Sequence, residues 1–157
     1  MESASVEAIF MTDLLFELGY IGLFVSAFLA ATILPLSSEV VLTTLLLNDF
    51  SPAVLVAVAT VGNTLGSFTN YALGYWAGAG VATRWLKMSE EEFVRAEQRF
   101  VKYGVFSLCF AWLPIIGDPL TIVAGVLRVR LLWFVLLVTL GKFVRYSVLS
   151  LLTLNIW

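Results

Sequence analysis

Histidine is absent from this chain, and cysteine occurs once, at Cys109. A single thiol has no partner within the chain, so the fold does not depend on disulfides. With no histidine and no cysteine cluster, zinc, haem and iron–sulfur sites have no ligand set, and no cofactor is expected. Charge is also scarce. Asp, Glu, Lys and Arg make up 13% of the residues, against about 25% in ordinary soluble domains. The first 17 residues hold Glu2, Glu7, Asp13 and Glu17 but no Lys or Arg. A cleavable signal needs a basic start, so none is expected there. No nucleic-acid partner is expected either.

What the chain has instead is hydrophobicity, 61% of its 157 residues, in long runs that are interrupted at particular places. The first run begins near Leu18 and resumes at Val40–Leu47 after Leu34-Pro35-Leu36-Ser37-Ser38-Glu39. As one straight helix, residues 18–47 would be about 45 Å long at roughly 1.5 Å per residue, while a bilayer core is ~30 Å thick. The segment must break, and Pro35 is the place. The short apolar stretch after the break would cover only about 15 Å before Asn48-Asp49-Phe50-Ser51-Pro52. The chain is therefore expected to return to the side it came from, as a re-entrant helical hairpin with its tip at 35–39. Letting 18–36 cross and 40–61 form the next span would strand Asn48, Asp49 and Pro52 in hydrocarbon, at several kcal/mol per unsatisfied group.

Residues 53–76 then make a full span. Its small and polar residues, Gly62, Asn63, Gly66, Ser67, Asn70, Gly74 and Gly78, recur at helical spacing. They suit tight helix packing, and Asn63 and Asn70 equally suit a cavity lining. Residues 80–104 form a polar connector. Ser89-Glu90-Glu91-Glu92 is a capping-box start. Phe93, Ala96, Phe100 and Tyr103 form an apolar stripe that Gly104 ends, which predicts an amphipathic helix on the membrane surface.

A second interruption, Leu113-Pro114-Ile115-Ile116-Gly117-Asp118-Pro119, repeats the first. Pro35 and Pro114, and likewise Glu39 and Asp118, lie 79 positions apart (114 − 35 and 118 − 39). Arms at Val105–Leu113 and Leu120–Leu127 are again too short to span, giving a second hairpin with its tip at 114–119. Residues 131–154 form the last span. Gly62 and Gly141 match in the same register. The predicted fold is an all-α integral membrane protein, one membrane domain of two inverted repeats. Residues 18–79 and 105–154 would each be a re-entrant hairpin followed by one transmembrane helix, with an acidic arm at 1–17.

The basic residues Arg84, Lys87, Arg95, Arg99, Lys102, Arg128 and Arg130 fall on the face between the spans. Positive-inside bias then places 80–104 in the cytoplasm and both termini outside.

Four ionisable residues fall at membrane depth: Glu39, Asp118, Lys142 and Arg145. Such residues are costly in a bilayer and usually face a cavity or one another. Lys142 is near mid-span and too far from either helix end to snorkel, so it needs a partner. It shares a helix face with Arg145, three residues on. One reading is a structural ion-pair cluster that holds the two hairpins. The other is a midplane transport site between inverted repeats. In that site Lys142 and Arg145 hold an anionic group such as phosphate, Glu39 and Asp118 act as protonatable switches, and Pro35, Ser37, Ser38, Pro114, Gly117 and Pro119 shape the tips.

The ordered set of two proline–acid hairpins, Gly62–Gly78 with Tyr71-Ala72-Leu73-Gly74-Tyr75, Tyr103-Gly104, and Ala124-Gly125 resembles the DedA (VTT-domain, SNARE-associated) superfamily over about residues 19–152. It is most similar to the short YqaA-like branch. The resemblance implies flipping or scrambling of lipids, including polyprenyl phosphate, with a proton-motive-force link and Glu39 as the acid of the first tip. Longer members carry arginines three residues before and after the second-hairpin proline, where this chain has Ala111 and Gly117. Lys142 and Arg145 are then the candidates for the missing positive charge. The expected partners are membrane lipids, protons as coupling ion and a second copy in a homodimer, in a bacterial inner membrane. No enzymatic activity is expected. The competing expectations are a non-transporting scaffold or assembly factor, and a proton-coupled carrier of a small solute.

Overall fold

The computed structural model describes residues 18–32, 38–85, 89–113 and 116–156. Among them every regular element is helical. α1 is Leu18–Thr32, followed by α2 (Ser38–Leu46), α3 (Pro52–Trp85), α4 (Glu90–Tyr103), a 3-10 helix over Gly104–Phe110, α5 (Gly117–Val126) and α6 (Leu131–Ile156). Two stretches, Pro52–Gly78 in α3 and Leu131–Asn155 in α6, are long and apolar enough to cross a membrane. At roughly 1.5 Å per residue α1 is about 22 Å long and α2 about 14 Å, both short of the ~30 Å hydrocarbon core.

The chain doubles back between α1 and α2. Gly19, at the start of α1, lies against Leu45 near the end of α2 and against Phe50 beyond it. Tyr20 meets Phe50 edge-on with ring centroids 5.2 Å apart. α3 then runs alongside α1 in the same direction. Asn63 Nδ2 donates to the Ala27 carbonyl at 2.9 Å, and Asn70 Nδ2 donates to the Ala31 carbonyl at 2.7 Å.

Two apolar cores form. One joins Leu23 and Ala27 of α1, Leu42 and Leu46 of α2, Leu55 and Ala59 near the start of α3, and Tyr146 of α6. The other joins Tyr71 further along α3, Ala96 and Phe100 of α4, Leu108, Leu120 and Val123, and Phe134 and Val138 near the start of α6. The start of α3 thus shares a core with the later part of α6, and the later part of α3 with the start of α6, so these helices are antiparallel. Close contact between α3 and α5 rests on glycine. A Cβ on Gly74 would strike the Ile122 carbonyl, and one on Gly125 would strike the Tyr71 carbonyl.

Several details depart from expectation. α3 continues past 76 to Trp85, with a kink at Gly78 (φ 74, ψ 178). Gly78 has open space around its Cβ position, so it bends the helix and does not extend the packing face begun by Gly74. The capping box of α4 forms: the Ser89 side chain accepts from the Glu92 backbone N–H, and the Glu92 carboxylate accepts from the Ser89 N–H at 2.8 Å. Its stripe does not all face lipid, however. Ala96 and Phe100 are buried on Leu108, Leu120 and Val123, because α5 and the 3-10 helix offer an apolar surface within reach. Of the arm at 105–113, the part up to Phe110 belongs to the 3-10 helix, in whose first turn Ser107 Oγ donates to the Gly104 carbonyl at 2.8 Å. Gly117, Asp118 and Pro119 form the first turn of α5 and not a continuing break. Proline is accepted there because first-turn N–H groups have no partner within the helix. Pro35, Ser37 and Pro114 lie outside the described residues.

Candidate functional site

α6 carries one buried stripe, Phe134, Val138, Lys142, Tyr146 and Ser150, repeating every fourth residue. Four-residue spacing keeps these side chains on one helix face, so the apolar packing that buries Phe134 and Val138 also buries Lys142. Its ammonium stands 3.8 Å from Asp118 Oδ1 in the first turn of α5. Arg145, on the next turn edge, pairs with Glu39 in the first turn of α2. Arg145 also donates through Nη1 to the Trp112 carbonyl at 2.9 Å. One helix therefore presents both cations, and each meets the acid of a different short helix. Arg145 touches both short-helix pairs at once.

The acids do not pair with each other. Beside Glu39, Ser38 Oγ and the Tyr146 hydroxyl share a hydrogen bond of 2.9 Å. Beside Asp118, Thr121 Oγ1 donates to the Asp118 backbone carbonyl at 2.7 Å and accepts from Asn70 Nδ2 at 3.3 Å. Asn70 thus bridges α1 and α5, and Asn63 ties α3 to α1, both in packing roles. Asn63 keeps a further capacity. Its Oδ1, together with Thr60 Oγ1, Thr64 Oγ1 and Ser67 Oγ, is buried without a hydrogen-bond partner among the described residues. These four sit at i, i+3, i+4 and i+7 along one face of α3. Thr44, Thr69 and Thr153 instead donate to the carbonyl four residues earlier. Unpartnered oxygens in a row suit a hydrated lining.

The two positions where the resemblance puts arginines are closed here. Ala111 is fully buried, and a Cβ on Gly117 would strike the Ala111 carbonyl. No long side chain can leave from Gly117 without moving that turn. The positive charge at this depth comes from α6.

Sequence reasoning missed Tyr146 and Thr121. Tyr146 had a legible signal, its position four residues after Lys142 and hence on the same face. Thr121 had none beyond lying one turn after Asp118.

A family model described as the VTT domain matches residues 34–154, which takes in Glu39, Asp118, α4 and nearly all of both candidate spans. The chain belongs to the VTT-domain family. This VTT-domain protein is 38% identical over 139 residues to the inner membrane protein YqaA of Escherichia coli, covering 88% of this chain and 93% of that one. It is 26% identical over 146 residues to a Lactococcus lactis protein named alkaline phosphatase-like, covering 85% of this chain and 68% of the relative. It is 22% identical over 143 residues to undecaprenyl phosphate transporter A of Staphylococcus aureus, covering 83% and 70%. No solved structure matches. With YqaA named an inner membrane protein and two membrane-length apolar helices present, this VTT-domain chain is a membrane protein.

Proposed function

We propose that the protein moves an anionic lipid, a polyprenyl phosphate or a phospholipid, across the membrane through a midplane site between two re-entrant hairpins. The observation that carries this reading is the pairing of Lys142 with Asp118 and of Arg145 with Glu39. A phosphate can replace either carboxylate on its cation, and Arg145 can engage it with two parallel N–H donors. Protonation of Glu39 or Asp118 cancels the charge that competes with the lipid, which would couple transport to protons. The unpartnered oxygens of Thr60, Asn63, Thr64 and Ser67 would give the headgroup a hydrated wall.

In this reading α1 with α2, and the 3-10 helix with α5, are the hairpins, and α3 and α6 are the spans of two inverted repeats. The mirrored membership of the two cores supports it. So does register: Asn63 and Lys142 are 79 positions apart (142 − 63), the same offset as Glu39 and Asp118. Positive-inside bias puts α4 in the cytoplasm and both termini outside. A second copy completes the path, because two spans and two short hairpins enclose little. The name of the Staphylococcus aureus relative, an undecaprenyl phosphate transporter, supports a lipid phosphate as cargo. Two acids that each face a cation, and not each other, support transport over intramembrane aspartyl hydrolysis.

The ion pairs also favour a second reading, a scaffold in which they only hold the helices. Flipping of labelled polyprenyl phosphate and phospholipids in proteoliposomes separates the two. Transport predicts flux by the wild type that is lost in a well-folded Glu39→Gln variant. No flux with any lipid, together with variants that fall apart in detergent, would leave the scaffold.

A further inference from the structure

The apolar stretch of α3 ends at Gly78 and that of α6 begins at Leu131, so both stop beside the loop joining α5 to α6. A cleft of about 400 Å³ opens there, between Phe68, Tyr71, Tyr75 and Trp76 of α3 and the loop residues Arg128 and Arg130. We propose that this cleft binds the phosphate-bearing headgroup of an anionic membrane lipid, separately from the charged pairs of α6 and whether or not the protein transports lipid.

The cleft joins two chemistries that an anionic amphiphile needs together. The Arg128 guanidinium lies 5.0 Å from the centre of the Tyr75 ring. Neither Arg128 nor Arg130 forms an ion pair among the described residues. Two guanidiniums without carboxylates, on one short loop, present planar forks suited to phosphate oxygens. The adjoining wall is aromatic, and Trp76 is 81% exposed. Trp and Tyr rings favour the headgroup level of a bilayer, and here they would receive the glycerol and upper acyl chain while the arginines hold the phosphate. A free phosphate would use only the arginines.

The backbone adds an independent argument. The end of α5 closes with Arg128 N–H donating to the Gly125 carbonyl at 2.9 Å and Val129 N–H donating to the Ala124 carbonyl at 3.0 Å. This terminating turn needs a left-handed residue, usually glycine or asparagine. Arg128 occupies it with φ 52, a strained conformation for a residue with a Cβ. Glycine would form the turn more easily but could not place a guanidinium over Tyr75. The Tyr71 hydroxyl donates to the Val129 carbonyl at 2.6 Å, which fixes the loop to α3 and holds both arginines at the cleft before any ligand arrives.

The test is binding of a fluorescent short-chain phosphatidylglycerol to the purified full chain in zwitterionic detergent. Unlabelled phosphatidylglycerol is expected to displace the probe, while phosphatidylcholine and inorganic phosphate at the same concentration do not. Arg128→Gly should weaken binding at least tenfold with a melting temperature equal to or above wild type, because the turn is relieved. Arg130→Gln should weaken binding without changing the melt, and the loss in each arginine variant should persist when Glu39→Gln is added, which keeps this outcome distinct from that of the transport reading. Equal displacement by phosphatidylcholine would overturn headgroup selection, and equal displacement by inorganic phosphate would overturn the lipid as occupant. Wild-type affinity in both arginine variants would overturn the site itself.

Discussion

Lys142 Nζ and Asp118 Oδ1 stand 3.8 Å apart, with the lysine side chain 3% exposed and the aspartate 29%. The separation exceeds a hydrogen bond, and Asp118 Oδ1 is buried without a hydrogen-bond donor among the described residues. The two charges balance each other across the gap between α5 and α6 without locking together.

Removing only one member of this pair should be costly. Lys142→Met leaves the Asp118 carboxylate without its cation, and breaking a buried pair in this way costs about 3–5 kcal/mol. Adding Asp118→Asn should recover most of the loss. Thermal unfolding of the two variants in detergent checks this, and equal melts would mean that the pair contributes no coupling.

Arg145→Lys keeps the charge but not the fork. One ammonium is not expected to hold both Glu39 and the Trp112 carbonyl, so one charge-assisted hydrogen bond is lost, about 1.5–3 kcal/mol. Lipid flux should fall in the same variant, and fall further in Arg145→Gln. Flux and melting temperature measured on the same preparations test the order.

The approach of α3 to α5 sets up a steric comparison. Gly125→Val places a branched side chain where the Tyr71 carbonyl lies, and overpacking of this kind costs about 1–3 kcal/mol or more. Gly22→Ala in α1 meets nothing within 4 Å and should be neutral or stabilise by up to about 1 kcal/mol. Melting curves should rank the two variants in that order.

Ser89→Ala removes the Oγ that accepts from the Glu92 N–H and leaves only the backbone half of the capping contact, and should destabilise α4 by about 1 kcal/mol. Amide exchange over residues 90–93 should accelerate, while exchange in α6 stays at the wild-type rate.

The two membrane-length helices were legible because they depend on a local quantity. A run of apolar residues either reaches ~30 Å or does not, whatever the rest of the chain does. The α4 start was legible for the same reason, since a serine and a glutamate three residues apart cap one another without help from the rest of the chain. Gly78 was misassigned because spacing alone cannot distinguish a glycine that packs from one that bends. The outcome was decided by whether a neighbouring helix lay against it, as α5 does at Gly74 and no element does at Gly78. The α4 stripe was read as facing lipid because its apolar partner, α5, is supplied from another part of the chain.

By itself, then, the sequence determined a helical membrane chain with two proline–acid interruptions and a capped helix between them, and it named the four charges that need partners. Only the tertiary structure decided that Lys142 takes Asp118, that Arg145 takes Glu39 and the Trp112 carbonyl, that Asn63 and Asn70 donate to the Ala27 and Ala31 carbonyls, and that Tyr146 joins Ser38. Those choices depend on how far each helix is rotated and how closely it approaches its neighbours. Rotation and approach are set by contacts between distant residues, such as Gly74 against Ile122 and Gly125 against Tyr71, which no local pattern records.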